Sequence, residues 1–144
     1  MIMPGQQPRS DPLFKSLANV NTTIFVYGTL KRGQRNHGLL SDQQFLGLAL
    51  TLPHYRLYDT GRHPALVDDP EKGFAIRGEV WQVSEETLQK LDEYEGVPDY
   101  FSRRPIFLQG WDSPVEAYFF NGDVTRLKDC GDHWPLEDKI ENRR

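Results

Sequence analysis

Residues 23–37 read TIFVYGTLKRGQRNH. The first half is β-branched and aromatic, the pattern of a buried strand, and the second half breaks into glycine and positive charge. A strand that stops on Tyr27-Gly28-Thr29-Leu30 can leave backbone N–H groups turned toward an anion or a polarised carbonyl, because glycine at position 28 frees the backbone there. The same residues also make an ordinary strand-to-loop turn. The glycines of GTLKRG are spaced as in a phosphate-binding loop, but Gln34 and Arg35 stand where Lys and Ser or Thr belong. No such loop is present.

Outward from this stretch the signal stays β. QQFLGLALTL, YRLY, HPALV and FAIRGEVWQV follow between Gly, Pro and Asp breakers, with Gly78 marking a bulge or a close backbone approach. RRPIFLQG and VEAYFFNG read as a hairpin around Gly110-Trp111-Asp112-Ser113-Pro114. Residues 1–22 read as an appendage rich in Pro, Gln, Asn and Ser, with a short helix opening at Pro12, and residues 23–144 as a single domain. One segment is plainly helical. SEETLQKLDEYEG, residues 84–96, has Ser84 as N-cap, Glu85 and Glu86 at the positive end of the dipole, and Gly96 as its stop. Many strands with one good helix predict an α+β fold on a closed or strongly curled sheet.

That helix carries the most informative side chain. At the helical period Leu88 and Leu91 lie about 60° apart with Glu95 between them, Asp92 to one side and Glu93 facing away. A helix that runs to its glycine therefore points Glu95 inward and Glu93 to water. Burial and the negative end of the dipole both raise a carboxylate's pKa, and a carboxyl group tuned toward neutrality can accept a proton and return it. A frayed last turn would instead leave Glu95 solvated.

The 144 residues carry 17 Lys and Arg against 21 Asp and Glu, a net charge of −4, which offers no basic excess for nucleic acid or an anionic membrane. The expected partner is a small molecule. No run approaches the ~20 apolar residues of a membrane helix and no signal peptide is apparent, so the expected location is the cytoplasm. Cys130 is the only cysteine, which excludes an internal disulfide and a multi-cysteine zinc site. His37, His54, His63 and His133 are scattered and read as loop histidines, so neither a metal nor a cofactor is expected. Lys31, Arg32 and Arg35 read as solvated loop charges that could attract an anionic substrate, and Asn36 as a residue that orders the loop.

FVYGTLKRGQRNH, followed by LYDTGRHPALV, GEVWQV and LDEYEG, resembles the γ-glutamylcyclotransferase-like superfamily, whose marks are a Tyr-Gly-Ser/Thr-Leu loop and a glutamate near the end of a later helix. The resemblance runs from about Ile24 to Asn121, and GTLKRGQ-x-NH is most similar to the γ-glutamylamine cyclotransferase branch. It implies a small mixed β-barrel with flanking helices, a catalytic glutamate at Glu95, and a substrate-binding loop of Tyr27, Gly28, Thr29 and Leu30. It also implies an activity: a γ-glutamyl amine or peptide closes on itself to give 5-oxoproline and a free amine, with no cofactor. Either Tyr100 or Phe101 holds the place of a tyrosine that the family has after the glutamate, and either Arg103 or Arg104 that of an arginine. Tyr118 or Phe120 matches a tyrosine on the late strand. The alternative reading is a non-catalytic binding or regulatory module of the same fold.

Overall fold

The structure, a computed structural model, describes residues 21–135. The helix expected from Pro12 lies outside the described residues. Among the described residues there are eight strands: β1 Thr22–Val26, β2 Gln44–Leu50, β3 Tyr55–Asp59, β4 Pro64–Asp68, β5 Arg77–Val83, β6 Phe101–Pro105, β7 Glu116–Phe120 and β8 Lys128–Gly131. An α-helix, α1, spans Glu85–Glu95, and a 3-10 turn spans His37–Leu40.

The α+β architecture is as expected, but the strands divide into two sheets and are not closed into a barrel. Five strands are ordered β2-β5-β1-β7-β6, and three are ordered β4-β3-β8. All neighbours are antiparallel except β1 and β7, which run parallel and meet only at Ile24 and Glu116. The alternation of side chains along a strand gives the large sheet two apolar faces. Phe25 and Tyr27, with Val80, Ala117 and Phe119, pack against Tyr55, Leu57, Leu66 and Cys130 from the small sheet. Ile24 and Val26, with Trp81, Val83 and Tyr118, pack under Leu88 and Leu91 of α1.

The helix begins and ends where its sequence dictates. Ser84 accepts a hydrogen bond from the Thr87 N–H, and Gly96 takes the left-handed conformation (φ 70°) that glycine adopts without a Cβ penalty. At Gly78 the expected close approach is found: a Cβ there would lie 2.5 Å from the Val26 carbonyl oxygen. The β-bulge sits on the partner strand instead, between Phe45 and Gly47. The hairpin of β6 and β7 pairs Phe101 with Phe120 through to Pro105 with Glu116. Strand β8 has no counterpart among the sequence expectations. Lys128, Asp129 and Gly131 have little β-propensity, and pairing to the edge of β3 supplies the order that local sequence does not.

Candidate active site

A cavity of about 490 Å³ opens beside the end of β1, with Tyr118 of β7 in its lining. Tyr27, Gly28, Thr29 and Leu30 line it, and so does Glu95 from the last turn of α1. The two segments singled out from sequence thus border one space.

The loop after β1 is held by its carbonyls. Gly28 C=O accepts from the Lys31 N–H and Thr29 C=O from the Asn36 N–H, both at 3.0 Å, while Leu30 C=O bonds His37 Nδ1 at 2.9 Å. No acceptor among the described residues takes the N–H groups of Gly28, Thr29 or Leu30. Three residues that line the cavity thus carry N–H groups without an acceptor among the described residues, a set of donors that suits an anion or an oxyanion. Glycine is required at position 28 because Pro64 closes over it: a Cβ would meet Pro64 Cγ at 2.4 Å. Tyr27 fixes the start of the loop by donating its hydroxyl to the Tyr118 carbonyl at 2.6 Å, in the interior. Glu79 fixes the far side. This buried carboxylate accepts from Arg32 N–H at 3.1 Å, Arg32 Nε at 3.2 Å and Trp81 Nε1 at 3.0 Å.

Helix phase places the carboxylates of α1 as its periodicity predicts. Leu88 and Leu91 are buried, Glu93 is exposed and Glu95 is half-buried, against the cavity. Burial pushes the Glu95 carboxyl up from its ordinary value of 4.5 to about 7. No donor among the described residues bonds it. Asp92, one turn earlier, accepts from Arg103 Nε at 2.9 Å, Arg103 Nη2 at 3.1 Å and the Tyr118 hydroxyl at 2.8 Å. Arg103 extends the network to Glu116. Two phenols that feel the charge of Glu95 are held neutral. Burial and then the charge of Glu95 push Tyr27 upward, and burial and then the bond to Asp92 push Tyr118 upward.

Tyr100 and Phe101 both line the cavity, as does Tyr118, whereas Phe120 packs against Tyr100 and Phe101 behind it. Arg103 braces Asp92, and Arg104 lies over the Phe119 ring and pairs with Asp68. Arg35, Asn36, Arg62, His63 and Tyr94 complete the mouth. Of these, Arg62, His63 and Tyr94 carried no site signal in the sequence, because only tertiary contact brings the 60–64 turn beside α1. Arg35 donates to the Arg62 carbonyl, Asn36 to the Tyr94 hydroxyl, and His63 Nε2 meets the Tyr100 hydroxyl at 3.1 Å. Cys130 is buried in the core, where its thiol donates to the Lys128 carbonyl, and His133 bonds Asp132. Among the described residues no cluster of three or more His, Cys, Asp or Glu forms a metal-binding group, and no helix is long and apolar enough to cross a membrane.

A wider groove of about 750 Å³ lies on the other side of the 31–34 loop. Its carboxylate, Glu79, already accepts from three donors, unlike Glu95.

Comparison with known proteins gives the family and the fold. The family model for "Gamma-glutamyl cyclotransferase, AIG2-like" matches residues 24–137. A Bos taurus gamma-glutamylaminecyclotransferase is 41% identical over 67% of this chain, which spans 63% of that relative's length. A Vibrio cholerae protein, provisionally named a gamma-glutamylcyclotransferase, is 45% identical over 76% of this chain and 92% of its own. The crystal structure of an AIG2-like protein from Mus musculus superposes with a TM-score of 0.71 at 30% identity, covering 80% of this chain and 89% of the mouse one.

Proposed function

The chain belongs to the γ-glutamyl cyclotransferase, AIG2-like family, and from that premise we propose that it releases 5-oxoproline and a free amine from a γ-glutamyl amine or peptide, with Glu95 as the proton carrier. The observation that carries this reading is a carboxyl group pushed toward neutrality that shares a cavity with the N–H groups of residues 28–30, neither with a hydrogen-bond partner among the described residues.

The chemistry needs little else. The substrate's α-amine attacks its own γ-carbonyl carbon, a C–N bond forms, and the carbonyl electrons move onto oxygen. The attack is intramolecular, so the protein's main task is to hold the folded conformer in which the amine meets the carbonyl. Glu95 takes the proton that the attacking nitrogen must lose. When the tetrahedral intermediate collapses, the original amide C–N bond breaks and Glu95 returns that proton to the departing nitrogen. Atoms balance without water. A carboxyl titrating near 7 suits both halves of the exchange. The Gly28, Thr29 and Leu30 N–H groups hold the substrate carboxylate or the developing oxyanion, and one such donor is typically worth ~3–4 kcal/mol in the transition state. Tyr27 shapes the wall beside them.

The test is product identity. The purified full chain, given a panel of γ-glutamyl amides, should release 5-oxoproline and amine in equal amounts, with EDTA making no difference. Free glutamate in place of 5-oxoproline would mean water attacks instead, and the reading would be wrong.

A further inference from the structure

Residues 132–134 are tied to the rim of the groove on the outer side of the 31–34 loop. The Arg77 N–H donates to the Asp132 carbonyl at 3.0 Å, the Arg77 guanidinium pairs with the Asp132 carboxylate at 3.4 Å, and Lys31 Nζ donates to the Trp134 carbonyl at 2.8 Å. Arg77 and Lys31 both line that groove. Trp134 is buried in the core, so the point from which residues 136–144 leave is fixed beside it. At ~3.3 Å per extended residue, a few residues are enough to cross the groove.

The groove is amphipathic. Leu48 is 72% and Leu50 42% exposed, on β2 at the edge of the five-stranded sheet, and Trp111 stands with them in the lining. Exposed aliphatic side chains grouped in a concave surface mark a place where something apolar docks. The charged lining residues are three cations, Lys31, Arg32 and Arg77, against one carboxylate, Glu79, which already accepts from Arg32. Residues 136–144, LEDKIENRR, match on both counts: Leu136 and Ile140 are apolar, and Glu137, Asp138 and Glu141 are acidic. Residue 21, by contrast, joins the fold at the other end of β1. Thr22 pairs with Val83, whereas the groove lies where Val26 and Leu48 pair with Glu79.

We infer that residues 136–144 fold back into this groove, with Leu136 and Ile140 on Leu48 and Leu50 and the acidic residues toward Lys31 and Arg77, and that the seated segment braces the 31–34 loop from outside. Lys31 joins the two sides of that loop. Its side chain lines the groove, while its N–H bonds the Gly28 carbonyl at 3.0 Å, next to the donors of the cavity. The seat stands apart from the reaction proposed for the cavity, and its test reads no activity.

Methyl NOESY spectra of the full chain test the seat. Cross-peaks should join the Ile140 δ1 methyl to the methyls of Leu48 and Leu50 and should be unchanged on dilution. Leu48→Asp, at an exposed position that leaves the fold intact, should abolish those to Leu50 as well. Amide exchange tests the brace. In a chain ended at Pro135 the Lys31 and Asn36 N–H groups, which bond the Gly28 and Thr29 carbonyls, should exchange about threefold faster. Leu48→Asp added to that chain should speed them no further. Absent cross-peaks, or exchange unmoved by the loss of residues 136–144, overturn the inference. Cross-peaks that weaken on dilution put a second copy in the groove, and cross-peaks from Ile2 or Leu17 put the segment before residue 21 there; either result overturns it too.

Discussion

Asp92 and Glu95 stand one turn apart at the carboxyl end of α1, and their surroundings are opposite. Asp92 is met by both faces of the Arg103 fork and by the Tyr118 hydroxyl. Glu95 lines the cavity with no donor among the described residues, and burial pushes it up to about 7. Tyr118 is near enough for the charge of Glu95 to act on it, yet its hydroxyl goes to Asp92. Structural carboxylates are normally satisfied, because an unpaired one costs stability. The contrast fits Asp92 as the residue that holds the helix against β6 and β7, and it supports the proton-transfer role proposed for Glu95.

The sharpest way to break the comparison is to remove each acid. Glu95→Gln keeps size and loses the proton acceptor, so turnover should fall by at least ~10² in a protein that still folds. Near-normal turnover would end its assignment as the base. Asp92→Ala should act on stability first. It strips Arg103 of two bonds and Tyr118 of one in a partly buried setting, at about 2 kcal/mol, read as a lower urea midpoint. An unchanged midpoint would show that the network is ornamental. Gly28→Ala should cost about 1–2 kcal/mol, since its Cβ meets Pro64 at 2.4 and 2.7 Å, and should raise KM as the loop donors shift.

The acids also differ in how they tie stability to pH. The folded state holds the Glu95 proton more tightly than the unfolded chain does. Its contribution is thus present below about 4.5 and is lost as pH rises through about 7. Glu95→Gln should then be more stable than the natural chain above pH 7, by on the order of 1–2 kcal/mol after allowing for partial exposure. Equal stability at pH 8 would contradict a raised folded-state value. The smallest effect belongs to Glu93→Gln. Exposed on the outer face of α1, it should change turnover by less than about twofold.

What could be read from the sequence was what local rules determine. Ser84 and Gly96 bounded the helix, its period singled out Glu95 over Glu93, and the break after Val26 marked the loop whose N–H groups have no acceptor. What could not be read depends on long-range contact. Strand β8 forms only because β3 offers an edge, and neither Arg103 nor Tyr118 reveals its bond to Asp92 until β6 and β7 pair beneath the helix. The 60–64 turn shows no chemistry in its residues until the fold sets Arg62 and His63 at the cavity mouth. Glu79 was missed for a different reason. In GEVWQV it shares a face with Trp81 and Val83, and a carboxylate in that position was a readable sign of a buried acid with partners.

The central claim is that Glu95 is kept unpaired so that it can carry a proton near neutral pH. Carbon-13 NMR of protein labelled at the glutamate carboxyl carbons measures this directly. One resonance should titrate with a midpoint near 7 and vanish in Glu95→Gln. A Glu95 resonance that titrates near its ordinary value of 4.5 would contradict the account.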